Sequence, residues 1–188
     1  VTHESAATIS LCLKKLRRAT GLRRIVVVDN ASTDETCSII EKLLPEDSRI
    51  SLVRNKENLG FAAACNQGAS ALSQPWLVFL NPDAYIETDT LVRMRDSAIA
   101  YPGAGLIGVD LVNENGSPDR AARRFDLSLI SLLKNNGDLT QIYMGRDPDN
   151  RVQQVEACSG ALMMLPANVF HHLGGFDDGF RLHVEDLD

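Results

Sequence analysis

Three acidic positions carry the chemistry this chain could perform. Asp29 directly follows Val26-Val27-Val28, and Asp83 follows Trp76-Leu77-Val78-Phe79-Leu80-Asn81-Pro82. Glu185-Asp186, with Asp188, comes after the glycine-punctuated stretch Gly174-Gly175-Phe176-Asp177-Asp178-Gly179-Phe180. Carboxylates are the residue type needed both to hold a hard divalent cation and to accept a proton from a hydroxyl. One acid holding a metal on a diphosphate, and another activating an acceptor, suits sugar transfer from a nucleotide. A single Asp after a strand most simply caps a turn. Two at the ends of parallel strands meet in one crevice, because open α/β sheets bind ligands at their carboxyl edge.

The elements that must position these acids are signalled locally. Val1-Thr2 reads as the end of a strand. Ser5 is expected to cap a helix through about Ala19 that buries Ile9, Leu13 and Leu16 and leaves Lys14, Lys15, Arg17 and Arg18 on a solvated face. Gly21 ends it. The β-branched run Ile25-Val26-Val27-Val28 is typical of a strand covered on both faces. Ser32-Thr33-Asp34-Glu35 has the form of a capping box opening a helix with Ile39, Ile40, Leu43 and Leu44, stopped at Pro45. A strand from Ile50 to Val53, a polar loop to Gly60 and a small-residue helix from Phe61 to Leu72 follow. Trp76 to Leu80 is a buried strand ended by Pro82, which lacks an N–H and holds Asn81 extended. A helix from Thr88 to Ala100 closes at Pro102-Gly103.

This alternation predicts a parallel sheet with right-handed crossovers and helices on both faces. Beyond it the rhythm changes. Leu106 to Val112 reads as a strand, Asn115-Gly116 as a turn, and Asp119 to Arg151 as an irregular polar segment with a short helix at Leu127 to Leu133. Val152 to Cys158 and Ala161 to Leu165 suit antiparallel strands, and Pro166 opens a helix ending near Gly174-Gly175. With no repeat or linker in evidence, a single domain over 1–188 is expected. Its nucleotide-binding half would be 1–100 and its acceptor and catalytic half 101–188, with truncation at both ends.

Composition limits the function classes. At 188 residues, 44% hydrophobic and 23% charged, the chain has ordinary globular make-up, and a net charge of −6 argues against a nucleic-acid surface. The 4 cysteines are widely spaced, without a C-x-x-C pair or a dense disulfide framework, as in reduced cytosolic proteins. No apolar run approaches the roughly 18 residues of a membrane span, and the amino terminus does not read as a signal peptide. A soluble, cytoplasmic chain is expected. The sequons at Asn30 and Asn115 then read as turns.

A family resemblance gathers these signals. Val26-Val27-Val28-Asp29-Asn30-Ala31-Ser32-Thr33-Asp34, then Asn58-Leu59-Gly60-Phe61-Ala62-Ala63-Ala64-Cys65-Asn66, then Leu80-Asn81-Pro82-Asp83 occur in that order. The chain resembles the family-2 inverting glycosyltransferases of GT-A fold, and within them bacterial rhamnosyltransferase-like members, in which Asn-Pro-Asp often replaces the Asp-x-Asp metal motif. The likeness runs from Val1-Thr2-His3 through Ser159-Gly160-Ala161 and Gly174-Gly175-Phe176-Asp177 to Glu185-Asp186. It implies an α/β GT-A fold with a mostly parallel central sheet and a short antiparallel part. It also implies a nucleoside-diphosphate sugar donor, a glycan or glycolipid acceptor, and a Mg²⁺ or Mn²⁺ cofactor. A role in bacterial cell-surface polysaccharide or glycolipid synthesis follows, at the inner face of the cell membrane, with any peripheral membrane contact made by regions outside this chain.

By the same resemblance Thr2, His3, Asp29, Asn30, Asn58, Gly60, Asn81 and Asp83 would bind the donor, with Asp83 on the metal. Ser159, Gly160, Ala161 and His183 would face the sugar or acceptor, and Asp186, with Glu185, would act as the base. Glu4 stands where the family commonly has asparagine. Asn81 carries one charge fewer than an Asp-x-Asp pair, which predicts weaker metal binding.

Several motifs point elsewhere and are outweighed. Gly103-Ala104-Gly105-Leu106-Ile107-Gly108 fits the dinucleotide fingerprint, yet it follows a helix and enters a strand, the reverse of the required context. Asp186-Leu187-Asp188 is a literal Asp-x-Asp, but its place after the glycine loop suits a base better. Adjacent His171-His172 lack the i, i+4 spacing of a helical metal pair and suit a solvated or capping role. His183 is balanced between a diphosphate or metal contact and a structural role, and Arg123-Arg124 between a phosphate or acceptor contact and a solvated pair. Two competing functions remain: a non-catalytic nucleotide-sugar-binding module or inactive fragment, and a sugar-nucleotide nucleotidyltransferase. The latter needs a glycine-rich basic loop near the amino terminus, and none is present.

Overall fold

Stretches of β-branched and small residues alternate in the first half, and the chain folds accordingly. In the computed structural model, residues 1–113, 115–125 and 143–179 are described. Helix α1 (Ile9–Arg18) leads into strand β1 (Ile25–Asp29), helix α2 (Thr36–Leu43) into β2 (Ile50–Arg54), and α3 (Phe61–Ser70) into β3 (Trp76–Leu80). Helix α4 (Thr90–Ala100) is followed by short strands β4 (Ile107–Gly108), β5 (Arg123–Arg124) and β6 (Ala157–Cys158), then by β7 (Leu162–Pro166) and helix α5 (Ala167–Leu173).

Strands β1 and β2 pair in parallel, from Ile25 opposite Ile50 to Asp29 opposite Arg54. Strand β3 pairs antiparallel with β7, from Trp76 opposite Pro166 to Leu80 opposite Leu162, and β4 flanks the other side of β7. The α/β class, with parallel strands early and antiparallel ones late, is as expected. On the edge of β1 away from β2, Thr2 forms a parallel bridge opposite Asp29.

Helix α3 approaches β1 closely because its facing residues are small. Ala62 and Ala64 are fully buried, and a methyl group on Gly68 would stand 3.2 Å from a Val28 methyl. Apolar clusters gather at both groups of strands. Ile9, Leu13, Val27, Ile40 and Ile50 pack around β1, while Leu77, Phe79, Met163, Leu165 and Phe170 pack around β3 and β7.

Several expected boundaries move. Helix α1 begins at Ile9, with Thr8 at its N-cap, and Ser5 contributes its carbonyl to the Thr8 and Ile9 amides instead of capping through its hydroxyl. The Ser32–Glu35 capping box does not form. The Thr36 amide donates to Asp34 Oδ1, and Ser32 is drawn to Asp29. The strand expected from Leu106 to Val112 shrinks to β4, with Val112 in an isolated antiparallel bridge to Pro118, and that from Val152 shrinks to β6. As expected, Gly103–Gly108 connects a helix to a strand. The helix expected at 127–133 lies outside the described residues. All four cysteines are buried thiols.

Candidate donor site at the strand ends

Asp29 ends β1 and is 1% exposed, so its charge must be met by hydrogen bonds. Its Oδ1 accepts from Thr2 Oγ1 at 3.0 Å and from Ser32 Oγ at 2.5 Å, and its Oδ2 accepts from the Ser32 amide at 2.9 Å. Burial alone would raise the Asp29 pKa. Donors from Ser32, Cys37 and Thr2 outweigh it and hold the carboxyl below its ordinary range, so the group stays charged. Thr2 is fixed from both sides: its amide donates to Val28 O at 2.8 Å, and its carbonyl accepts from the Asn30 amide at 2.7 Å.

The loops before α1 and after β1 are laced together. His3 Nδ1 donates to the Asn30 carbonyl at 2.8 Å, and Glu4 Oε1 accepts from the Thr33 amide and hydroxyl at 2.7 and 3.0 Å. Glu4 and Ala31 both hold positive φ, at 49° and 59°, a costly conformation for residues with side chains that persists where surroundings over-determine it. Glu4 thus ties the turn before α1 to the loop after β1.

Asn30 is also buried. Its Nδ2 donates to the Gly60 carbonyl at 2.9 Å, tying the β1 tip to the first turn of α3. Gly60 precedes that helix at φ 90°, and its amide donates to Asn58 Oδ1 at 2.9 Å. Thr2, His3, Asp29, Asn30, Asn58 and Gly60 therefore belong to one connected arrangement, with Asn58 exposed.

At the end of β3, the Asn81 amide donates to the Ala161 carbonyl at 3.0 Å, and the Ala84 amide returns to Asn81 O at 3.1 Å. Pro82 and Asp83 thus form a turn beside Ser159-Gly160-Ala161, where Ser159 Oγ accepts from the Ala161 amide. Asp83 is exposed and makes no hydrogen bond or ion pair among the described residues. Cys12 faces this turn, its thiol 3.9 Å from Asn81 O. Burial pushes that thiol up to about 11, with a further push from Asp83. His183, Glu185 and Asp186 lie outside the described residues.

The sequence reading missed three contributors, Ser32, Asn55 and Gln67. Only a strand-end Asp followed three residues later by a hydroxyl hinted at the first. Arg123 pairs with Asp110 at 2.6 Å and Arg124 donates to Cys158 O at 2.9 Å, and both are half-buried rather than a solvated pair. His171 and His172 are exposed in the last turn of α5. Among the described residues, no three His, Cys, Asp or Glu side chains gather as a metal site, and no helix is long and apolar enough to cross a membrane.

A β1–α2–β2–α3–β3 half joined to antiparallel strands, with acids at the ends of β1 and β3, defines a GT-A type glycosyltransferase fold. Structural neighbours agree. The mannosyltransferase PcManGT from Pyrobaculum calidifontis, in complex with GDP-Man and Mn²⁺, superposes with a TM-score of 0.68 at 21% identity, over 94% of this chain and 46% of that one. S. aureus TarS 1–349 superposes with a TM-score of 0.65 at 18% identity, over 99% and 51%. The model of glycosyl transferase family 2 matches residues 1–173, and the chain belongs to that family. Among curated relatives, an N-acetylglucosaminyl-diphospho-decaprenol L-rhamnosyltransferase of Mycobacterium tuberculosis is 22% identical, over 87% of this chain and 58% of the relative. A PGL/p-HBAD biosynthesis glycosyltransferase of Mycobacterium bovis is 29% identical, over 71% and 53%. The chain thus spans little more than half the length of these relatives.

Proposed function

We propose that this chain forms the donor-binding and catalytic part of an inverting glycosyltransferase that moves a sugar from a nucleoside diphosphate to a hydroxyl of a glycan or glycolipid. Membership of family 2 supports the class, and relatives named for glycolipid and lipid-linked acceptors support the acceptor type. The observation that carries the reading is the position of Asp83. It is a solvent-facing carboxylate without a protein partner among the described residues, held at a strand end beside Ser159–Ala161 by the Asn81 amide.

In this reading the nucleoside lies against Thr2, His3, Asp29, Asn30 and the Asn58–Gly60 loop. Asp83, with Asn81 beside it, holds Mg²⁺ or Mn²⁺. One exposed carboxylate is a fitting donor for such an ion, which takes its remaining ligands from phosphates and water. When bound, the ion offsets negative charge on the departing diphosphate. Ser159, Gly160, Ala161 and His183 face the sugar or acceptor. Asp186, with Glu185 beside it, takes the acceptor proton for in-line attack, so no covalent sugar intermediate is required. The proposed setting is the inner face of a bacterial membrane, in cell-surface polysaccharide or glycolipid synthesis.

The test compares Asp83→Asn and Asp186→Asn in the full-length protein. Asp186→Asn should cut transfer by about 10²–10⁴-fold and spare nucleotide binding. Asp83→Asn should instead weaken Mn²⁺-dependent binding of UDP, GDP or dTDP. Undiminished turnover of Asp186→Asn would refute the base assignment, and binding by wild-type protein without transfer or donor hydrolysis would mark a non-catalytic nucleotide-sugar module.

A further inference from the structure

A run of side-chain amides, from Gln67 on α3 through Asn55 after β2 to Asn30 after β1, closes on the donor site from behind. Asn55 and Gln67 face each other and exchange reciprocal hydrogen bonds. Asn55 Nδ2 donates to Gln67 Oε1 at 3.0 Å, and Gln67 Nε2 donates to Asn55 Oδ1 at 3.0 Å. The second N–H of Asn55 donates to Asn30 Oδ1 at 2.9 Å. Asn30 in turn donates to the Gly60 carbonyl. The Asn55 amide of the backbone is fixed as well, donating to Asp29 O at 2.9 Å.

The polarity of this chain follows from its end. A carbonyl can only accept, so Gly60 O requires the NH₂ of Asn30. The Asn30 oxygen must then face Asn55, and Asn55 must present its NH₂. Both Asn55 hydrogens are spent, one on Asn30 and one on Gln67, while its oxygen is met by Gln67. Each amide orientation thus dictates the next, from α3 through the loop after β2 to the tip of β1 and back to the first turn of α3.

We infer that Asn55, braced by Gln67, is a positioning residue for the donor: through Asn30 it sets the separation between the β1 tip and the Asn58–Gly60 loop, the two walls that receive the nucleoside. This rests on the donor-site reading above. Asn30 is 2% exposed with both ends of its amide engaged, so it acts as a strut between those walls. A strut is only as fixed as the group that orients it, and that group is Asn55. Neither Asn55 nor Gln67 contacts the donor in this inference. Their influence passes through Asn30 and Gly60.

Asn55→Asp is the informative change, because it keeps size and removes both donors. A carboxylate oxygen then opposes the Asn30 oxygen, and rotating Asn30 to relieve that contact turns its oxygen against Gly60 O. Gln67→Glu removes one donor but leaves both Asn55 N–H bonds in place, so it should act more weakly. The experiment measures, on the whole chain, binding of UDP, GDP and dTDP with Mn²⁺ by calorimetry, together with donor KM, kcat and Tm. For the nucleotide that wild-type protein binds, Asn55→Asp should raise Kd and KM about tenfold, with kcat at saturating donor within about threefold, and Gln67→Glu should raise them about two- to threefold. Unchanged Kd in Asn55→Asp, or an effect confined to Tm, overturns the inference, as does a larger effect of Gln67→Glu. Wild-type protein that binds none of the nucleotides overturns the donor-site reading itself, a result separable from the others because it precedes any variant.

Discussion

Asp29 is the residue at which burial and charge are most sharply opposed. A fully desolvated carboxylate persists there because Ser32, Thr2 and Cys37 direct their donors at it, and their bonds favour the charged form over the burial that disfavours it. The sign of the pH dependence follows. With the folded pKa below the unfolded value near 4, the stabilisation is complete above about pH 4 and is lost as pH falls through the lower folded value. Asp29→Asn should cost about 1–3 kcal/mol at neutral pH, since the new NH₂ faces donors, and should flatten the acid limb of the stability curve. Urea unfolding of both proteins from pH 7 to pH 3 measures this, and parallel acid limbs would remove Asp29 as the linked group. The sequence disclosed Asp29 as a strand-end acid. It did not disclose the partner: Ser32, Asp34 and Glu35 satisfy a helix-capping pattern equally well, and only the folded loop shows Ser32 turned back to Asp29 while Asp34 receives the Thr36 amide.

At the scale of elements, α3 does more than its alanine run suggests. Asn66, adjacent to Gln67, grips the turn after α5 with both ends of its amide: Nδ2 donates to Phe176 O at 2.8 Å, and Oδ1 accepts from the Phe176 amide at 2.9 Å. The Phe176 ring then stacks edge-on against Phe79 of β3, at 4.9 Å between centroids. Gly175 makes the approach feasible. Its φ is 89°, and a methyl group there would fall 2.5 Å from Asn66 Oδ1. Asn66→Ala and Gly175→Ala should each destabilise by about 1–3 kcal/mol, and because they disrupt one contact the double variant should lose clearly less than the sum. A double-mutant cycle in urea tests the pairing, and strict additivity would show the two act independently. The helices and strands themselves were legible, since hydrophobic period, proline stops and glycine ends are local. Asn55, Asn66 and Gln67 were not, because an amide in a polar loop or on a helix looks solvated until a partner distant in sequence is placed against it.

On the scale of the molecule, β1 meets a different partner at each edge, and together they fix the end that carries Asp29. In a parallel strand, successive residues direct their backbone groups to opposite edges. Ile25 donates to Arg49 O, and the Asn55 amide meets Asp29 O, so the odd-numbered residues of β1 serve β2. Val28 O accepts from the Thr2 amide, and the Thr2 carbonyl accepts from the Asn30 amide, so the segment before α1 docks on the other edge. The α/β alternation legible in the sequence could not reveal which partner each edge takes, because a strand's side-chain pattern is the same for either. Amide hydrogen exchange tests the docking. Val27, buried in β1, should exchange only with opening of the β1–β2 unit. The Asn30 amide, held by the Thr2 carbonyl at 2.7 Å, should be protected as strongly as Val27 despite its place in a loop. Fast exchange at Asn30 beside slow exchange at Val27 would mean that Thr2 does not stay docked on β1, and that Asp29 loses one of the donors that keep it charged.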